Sequence, residues 1–168
     1  MSLYNKVINK LHSKNIGFSI DEQMIGHHEF ISGHGPMGKQ PFSFNVKWGP
    51  KNIVDWASPN SSTFLFNQMT GVVNIGGLAD NIPIIGSLEI NYFKEQKIRY
   101  TYDLEFEGKN YLFIGEKVNI RLYNLTTSHT TCFGTLTNQE TGELISRSIT
   151  YFRLKDSLRF LGSLRINK

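Results

Sequence analysis

A chain of 168 residues that is 39% hydrophobic and 19% charged has the size of one compact domain, and its composition fits neither a disordered segment nor a coiled coil. Its net charge of +4 gathers at the ends: Lys6, Lys10 and Lys14 precede residue 21, and Lys155, Arg159, Arg165 and Lys168 oppose Asp156 after residue 154. A nucleic-acid binder instead clusters positive charge along one face, so two solvated termini are the expected reading and a nucleic-acid partner is disfavoured.

Leu3, Val7, Ile8 and Leu11 recur at helical spacing with the three lysines on other faces, which predicts an amphipathic helix over 1–15, ended by Asn15 and Gly17. The period then changes to two. A strand is expected over Gly17 to Ile31, bent at Gly26, and another where Phe42, Phe44, Val46 and Trp48 alternate with Ser43, Asn45 and Lys47 before the Gly49-Pro50 turn. Lys51 to Ala57 reads as one or two helical turns, and Thr63 to Asn67, Val72 to Ile75 and Leu88 to Tyr92 as shorter strands.

Ile98, Tyr100, Tyr102, Leu104 and Phe106 alternate without a break against Arg99, Thr101, Asp103, Glu105 and Glu107. With Gly108 at a tight turn and Tyr111 to Ile114 after it, this predicts a long hairpin. A second hairpin joins Thr131 to Thr137 with Leu144 to Leu154 through Asn138 to Glu143, and a helical turn is expected around Asp156 to Leu161. Many strands, short turns and no crossover helices predict an antiparallel architecture. Glycines within the long strands suggest the bends of a closing sheet, and closure removes exposed edges. The expected fold is all-β: a single antiparallel closed or nearly closed β-barrel over 17–167, calycin- or lipocalin-like in form, with the N-terminal helix, as one domain over 1–168.

Phe18-Ser19-Ile20-Asp21-Glu22-Gln23-Met24-Ile25-Gly26 resembles the opening Phe-x-Glu-x-Met-x-Gly pattern of the β-rich accessory domain found with bacterial cholesterol-oxidase-like (GMC-type) oxidoreductases. Gly71 to Ile75, Ile98-Arg99-Tyr100 with Gly108, Tyr111, Gly115 and Lys117, Thr130-Thr131, and Gly162 to Ile166 follow in the family's order. One extra residue precedes Glu22 relative to that pattern. The resemblance implies an accessory module to a separate oxidoreductase partner and a sterol- or lipid-like ligand, and it carries over no catalytic residue. Gly33, Gly35 and Gly38 do not form a dinucleotide fingerprint, since Pro36 interrupts them and no helix follows, so no cofactor is expected.

No uncharged apolar stretch approaches the roughly 18 residues of a membrane span, and no apolar leader follows a basic start, so a cytoplasmic protein is the expectation. A single cysteine excludes an internal disulfide and a cysteine-rich metal cage. Cys132 has no cation beside it in sequence and reads as a core residue. His27, His28, Glu29 and His34 form the densest polar group, but strand geometry sets His27 and Glu29 on one face and His28 on the other, which argues against a metal site. They support an alternative reading as an enzyme with a His/Glu site at the barrel mouth. An oligonucleotide-binding barrel would need outward aromatics beside cations such as Arg99, Lys109, Arg147 or Arg153. The leading reading assigns a hydrophobic ligand to Trp48, Tyr100, Tyr102, Tyr111 and Phe113. These rings either border an internal cavity or fill a core, and periodicity alone does not say which face is inside.

Overall fold

The computed structural model describes residues 16–119, 131–152 and 165–167. The expected helix over 1–15, the helical turn around 156–161 and Arg153 lie outside them. The strands are β1 (Gly17–Phe30), β2 (Lys39–Trp48), β3 (Phe66–Ile75), β4 (Ala79–Asn91), β5 (Lys97–Phe106), β6 (Lys109–Lys117), β7 (Thr131–Asn138), β8 (Leu144–Tyr151) and β9 (Arg165–Asn167), with a short helix, α1 (Ile53–Ala57), between β2 and β3. Each of β1 to β7 pairs antiparallel with the next, and β8 returns to β1, which closes an eight-stranded up-and-down barrel. β1 is long enough to pair with β2 over Ile20–Glu29, with β8 over Ile25–Phe30 and with β9 at Gly17–Ser19.

Turn chemistry fixes the register. Glu107 and Gly108 form the two-residue link between β5 and β6 with φ of 51° and 72°, the paired left-handed conformation that matches the twist of a hairpin. Ile98, Tyr100, Tyr102 and Leu104 are thereby buried, while Asp103 and Glu105 face solvent. At α1, Asn52 caps the helix by accepting from the backbone N–H groups of Val54 and Asp55 at 2.9 and 3.2 Å.

Two strands run further than the sequence predicts. β3 continues through Gly71 as one strand, and β4 begins at Ala79 although Asp80, Asn81, Pro83 and Gly86 all disfavour strands. Pro83 stands where β4 has a strand neighbour on one side only: it is opposite Val72 of β3, and the β5 ladder begins at Ile85, an edge position of the kind at which proline is tolerated.

The connections over 49–65 and 92–96 and the C-terminal ends of β6 and β8 lie at one end of the barrel, the long-loop end, and the connections over 31–38, 76–78, 107–108 and 139–143 at the other, the short-loop end. No helix among the described residues is long and apolar enough to cross a membrane.

The interior is packed unequally. β2 to β5 contribute Phe42, Phe44, Met69, Val73, Leu88, Tyr100 and Tyr102, whereas the inward positions of β7 and β8 carry, beside Leu136 and Ile145, the small residues Cys132, Gly134, Ser146, Ser148 and Thr150. The rings of one wall therefore fill the space left by small residues of the other, as close packing requires. Gly115 and Gly134, paired across β6 and β7, have no alternative. A Cβ at Gly115 would stand 2.7 Å from the Phe113 ring and 2.8 Å from Cys132 Sγ, and one at Gly134 would fall on the Phe113 ring and Ser148 Oγ.

Candidate functional site

The aromatic residues expected around a ligand occupy the barrel axis. Tyr102 and Phe113 stack with ring centroids 4.5 Å apart, Phe42 stacks on Phe113 at 5.4 Å, and Phe44 lies 5.6 Å from Tyr100 and 5.8 Å from Tyr102. Tyr111 is buried beside Leu104, nearer the short-loop end, and Trp48 is half-buried at the opposite end against Phe18. The first contacts of the central rings are thus one another, the filled arrangement that eight strands permit.

At the long-loop end, Trp48 and Tyr100 share a partner that the sequence does not announce. Glu22, buried on the inner face of β1, accepts from Tyr100 Oη at 2.9 and 3.1 Å, from Trp48 Nε1 at 3.0 Å and from Lys117 Nζ at 2.8 Å. Lys117 Nζ also lies 5.1 Å from the Tyr100 ring centroid and 5.8 Å from that of Phe152, within cation–π range. Burial and the adjacent Glu22 charge push the Tyr100 hydroxyl well above its ordinary pKa and keep it a donor. Glu22, Tyr100 and Lys117 are three of the residues that carry the accessory-domain resemblance, and they meet although 95 positions separate the ends of the set. Both charges are matched, so the cluster is a latch joining β1, β2, β5 and β6.

Cys132 lies inside the barrel, where burial raises its thiol pKa to about 12 despite the Lys117 charge, which leaves no thiolate for nucleophilic chemistry. His28 also points inward. One ring nitrogen, Nε2, donates to Gly76 O at 2.9 Å, the other has no hydrogen-bond partner among the described residues, and burial lowers the pKa. His27 and Glu29 face outward, and His34 sits in the loop after β1. His27 and Glu29 thus lie on the outer wall and not at a barrel mouth. Among the described residues no three His, Cys, Asp or Glu side chains gather in a metal-binding group.

The outer wall of β6, β7, β8 and β1 carries a groove of about 610 Å³, and register builds it. One transverse row runs Ile114, Thr135, Arg147, Glu29, and the next Glu116, Phe133, Ile149, His27, with Ile31 and Val118 among the further lining residues. The small residues inside β7 and β8 have their counterpart here: Ile114, Phe133 and Tyr151 point outward and remain 37%, 49% and 42% exposed. Glu116 is already engaged, since Arg99 reaches it at 2.8 and 2.9 Å and Lys97 at 3.3 Å. Burial acts to raise its pKa, but these two cations outweigh it and hold the carboxyl below its ordinary value. Glu29 and Arg147 are direct cross-strand neighbours and make no ion pair among the described residues.

This part of the site was missed in the sequence because the alternation of β8 was legible while its orientation was not. The available signal was the run Ser146, Ser148, Thr150 on one face against Ile149 and Tyr151 on the other. Arg99, proposed as a nucleic-acid contact, is committed to Glu116, and Lys109 begins β6 away from the groove.

Fold and site together define a small closed antiparallel β-barrel with an apolar recess on its outer wall. No family model, no curated protein and no solved structure matches the chain.

Proposed function

We propose that this barrel binds a hydrophobic small molecule, lipid- or sterol-like in character, in the groove on its outer wall. The carrying observation is the groove itself: about 610 Å³, with apolar surface from Ile31, Ile114, Phe133 and Ile149 and a few polar groups from Glu29, Arg147 and His27. Ligand sites have this make-up and commonly this size, and patches of clustered exposed apolar side chains mark binding surfaces. The packed axis favours the groove over the interior, because a ligand among Tyr100, Tyr102 and Phe113 would have to displace stacked rings.

A neutral polarity-sensitive dye such as N-phenylnaphthylamine tests this. Saturable fluorescence enhancement is expected with the folded protein, with binding weakened at least about 10-fold, or about 1.4 kcal/mol, by Ile149→Lys at unchanged melting temperature. No enhancement, or equal binding by the variant, rules the groove out.

A second reading follows the resemblance: an accessory module to a separate oxidoreductase. It is favoured by the exposure of Phe133 and Tyr151 on the same wall, which a protein partner would cover. Co-elution of the barrel with such an enzyme, abolished by Phe133→Ser, is its expected outcome.

A further inference from the structure

The polar pair in the groove constrains what its ligand carries. Arg147 offers only donors and Glu29, when ionised, only acceptors; they project side by side from β8 and β1. Both are exposed and neither is engaged in an ion pair among the described residues. Beside them stand Thr135 and Ile114 in the same row and Ile149 and Phe133 in the next. A head group that fits both charges must accept from one and donate to the other.

Resting on the reading of the groove as an apolar-ligand site, we propose that it selects a neutral, hydroxyl-bearing amphiphile, with the hydroxyl between the Arg147 guanidinium and the Glu29 carboxylate and the apolar body over Ile114, Phe133 and Ile149. A hydroxyl accepts from Arg147 and donates to Glu29 at once. A carboxylate head satisfies Arg147 but meets the like charge of Glu29, and Glu116 adds a second negative charge at the edge of the groove. An ammonium head satisfies Glu29 but meets Arg147. Should the two side chains pair directly in the absence of ligand, an exposed ion pair is worth only about 0 to 1 kcal/mol, so the hydroxyl inserts at little cost.

The test uses one alkyl chain with three heads, dodecanol, dodecanoate and dodecylamine, each displacing N-phenylnaphthylamine from the full chain below its aggregation threshold. Dodecanol is expected to compete at least about 10-fold more strongly than either ion, the equivalent of one well-placed charge-assisted hydrogen bond. Glu29→Gln should bring dodecanoate up toward dodecanol, and Arg147→Gln should do the same for dodecylamine. Because both residues are exposed, the variants should keep the wild-type melting temperature. If the three heads compete equally while the dye still binds, head selection is overturned and the groove reading stands. If the dye itself does not bind, the groove reading falls and takes this proposal with it. A preference for dodecanoate that Arg147→Gln abolishes would overturn the neutral head in favour of an anionic one.

Discussion

Glu22 and Lys117 meet at 2.8 Å inside the barrel with side chains 5% and 4% exposed. Taking two charges out of water is costly, and their attraction offsets this only when the remaining hydrogen-bonding capacity is satisfied. Tyr100 and Trp48 supply that for the carboxylate.

Breaking the pair is therefore worse than removing it. Lys117→Met should destabilise the protein by about 3 to 5 kcal/mol because an uncompensated carboxylate stays buried. Adding Glu22→Gln should recover part of the loss, since the amide oxygen still accepts from Tyr100 and Trp48. Urea denaturation of the three proteins measures both, and a loss below about 1 kcal/mol for Lys117→Met would place the pair outside the cooperative core.

Phe113 and Gly134 should show reciprocal size dependence. Phe113→Ala leaves a void among Phe42, Phe44 and Tyr102 and should cost about 3 to 5 kcal/mol. Gly134→Ala puts a methyl onto the same ring and should cost about 1 to 3 kcal/mol as overpacking. Combining Gly134→Ala with Phe113→Leu should cost less than the sum. Strict additivity in a double-mutant cycle would mean the two do not share space.

Cys132, with its pKa at about 12, should stay unmodified by iodoacetamide near neutral pH in the folded protein and react at the rate of an ordinary thiol in urea. Fast labelling of the native state, read by mass spectrometry, would contradict its burial.

His28 sets a pH dependence. Its folded pKa lies below 6.5, chiefly through burial, with the Gly76 hydrogen bond opposing the shift and the nearby His27 adding to it. Above about pH 6.5 both folded and unfolded forms are neutral and this group does not bias folding. As pH falls below that value the unfolded chain takes up a proton that the folded one resists, so stability is lost, by at most about 1.4 kcal/mol per pH unit. His28→Gln, which keeps a donor for Gly76 O, should flatten the decline between about pH 7 and pH 5. An unchanged slope would assign the decline to other groups.

The parts of the fold that depend on alternation were legible: the hairpin of Ile98 to Ile114 announces itself because five of its residues, Ile98, Tyr100, Tyr102, Leu104 and Phe106, must share one face. β4 was legible only at its C-terminal end, because Asp80, Asn81 and Pro83 read as breakers and the ladder to β3 that overrides them is a tertiary effect. Trp48, Tyr100, Tyr102, Tyr111 and Phe113 were legible as a set on alternating strands, but which face points inward follows from the closure of the barrel. Whether rings surround a space or fill it depends on the volume of the opposite wall. Ser146, Ser148 and Gly134 decide that from a distant part of the chain. The groove was hidden for the same reason, since Arg147 and Glu29 become neighbours only through the closure of β8 on β1.

Binding on the outer wall is tested most directly by isoleucine methyl NMR, because this side chain reports on both regions. Ile31, Ile114 and Ile149 line the groove, whereas Ile75, Ile84 and Ile98 belong to the core. Titration with dodecanol should shift the first three methyl resonances in a saturable, concerted way and leave the second three in place. Shifts concentrated on the core isoleucines, or none at all at saturating ligand, would contradict a binding site in the groove.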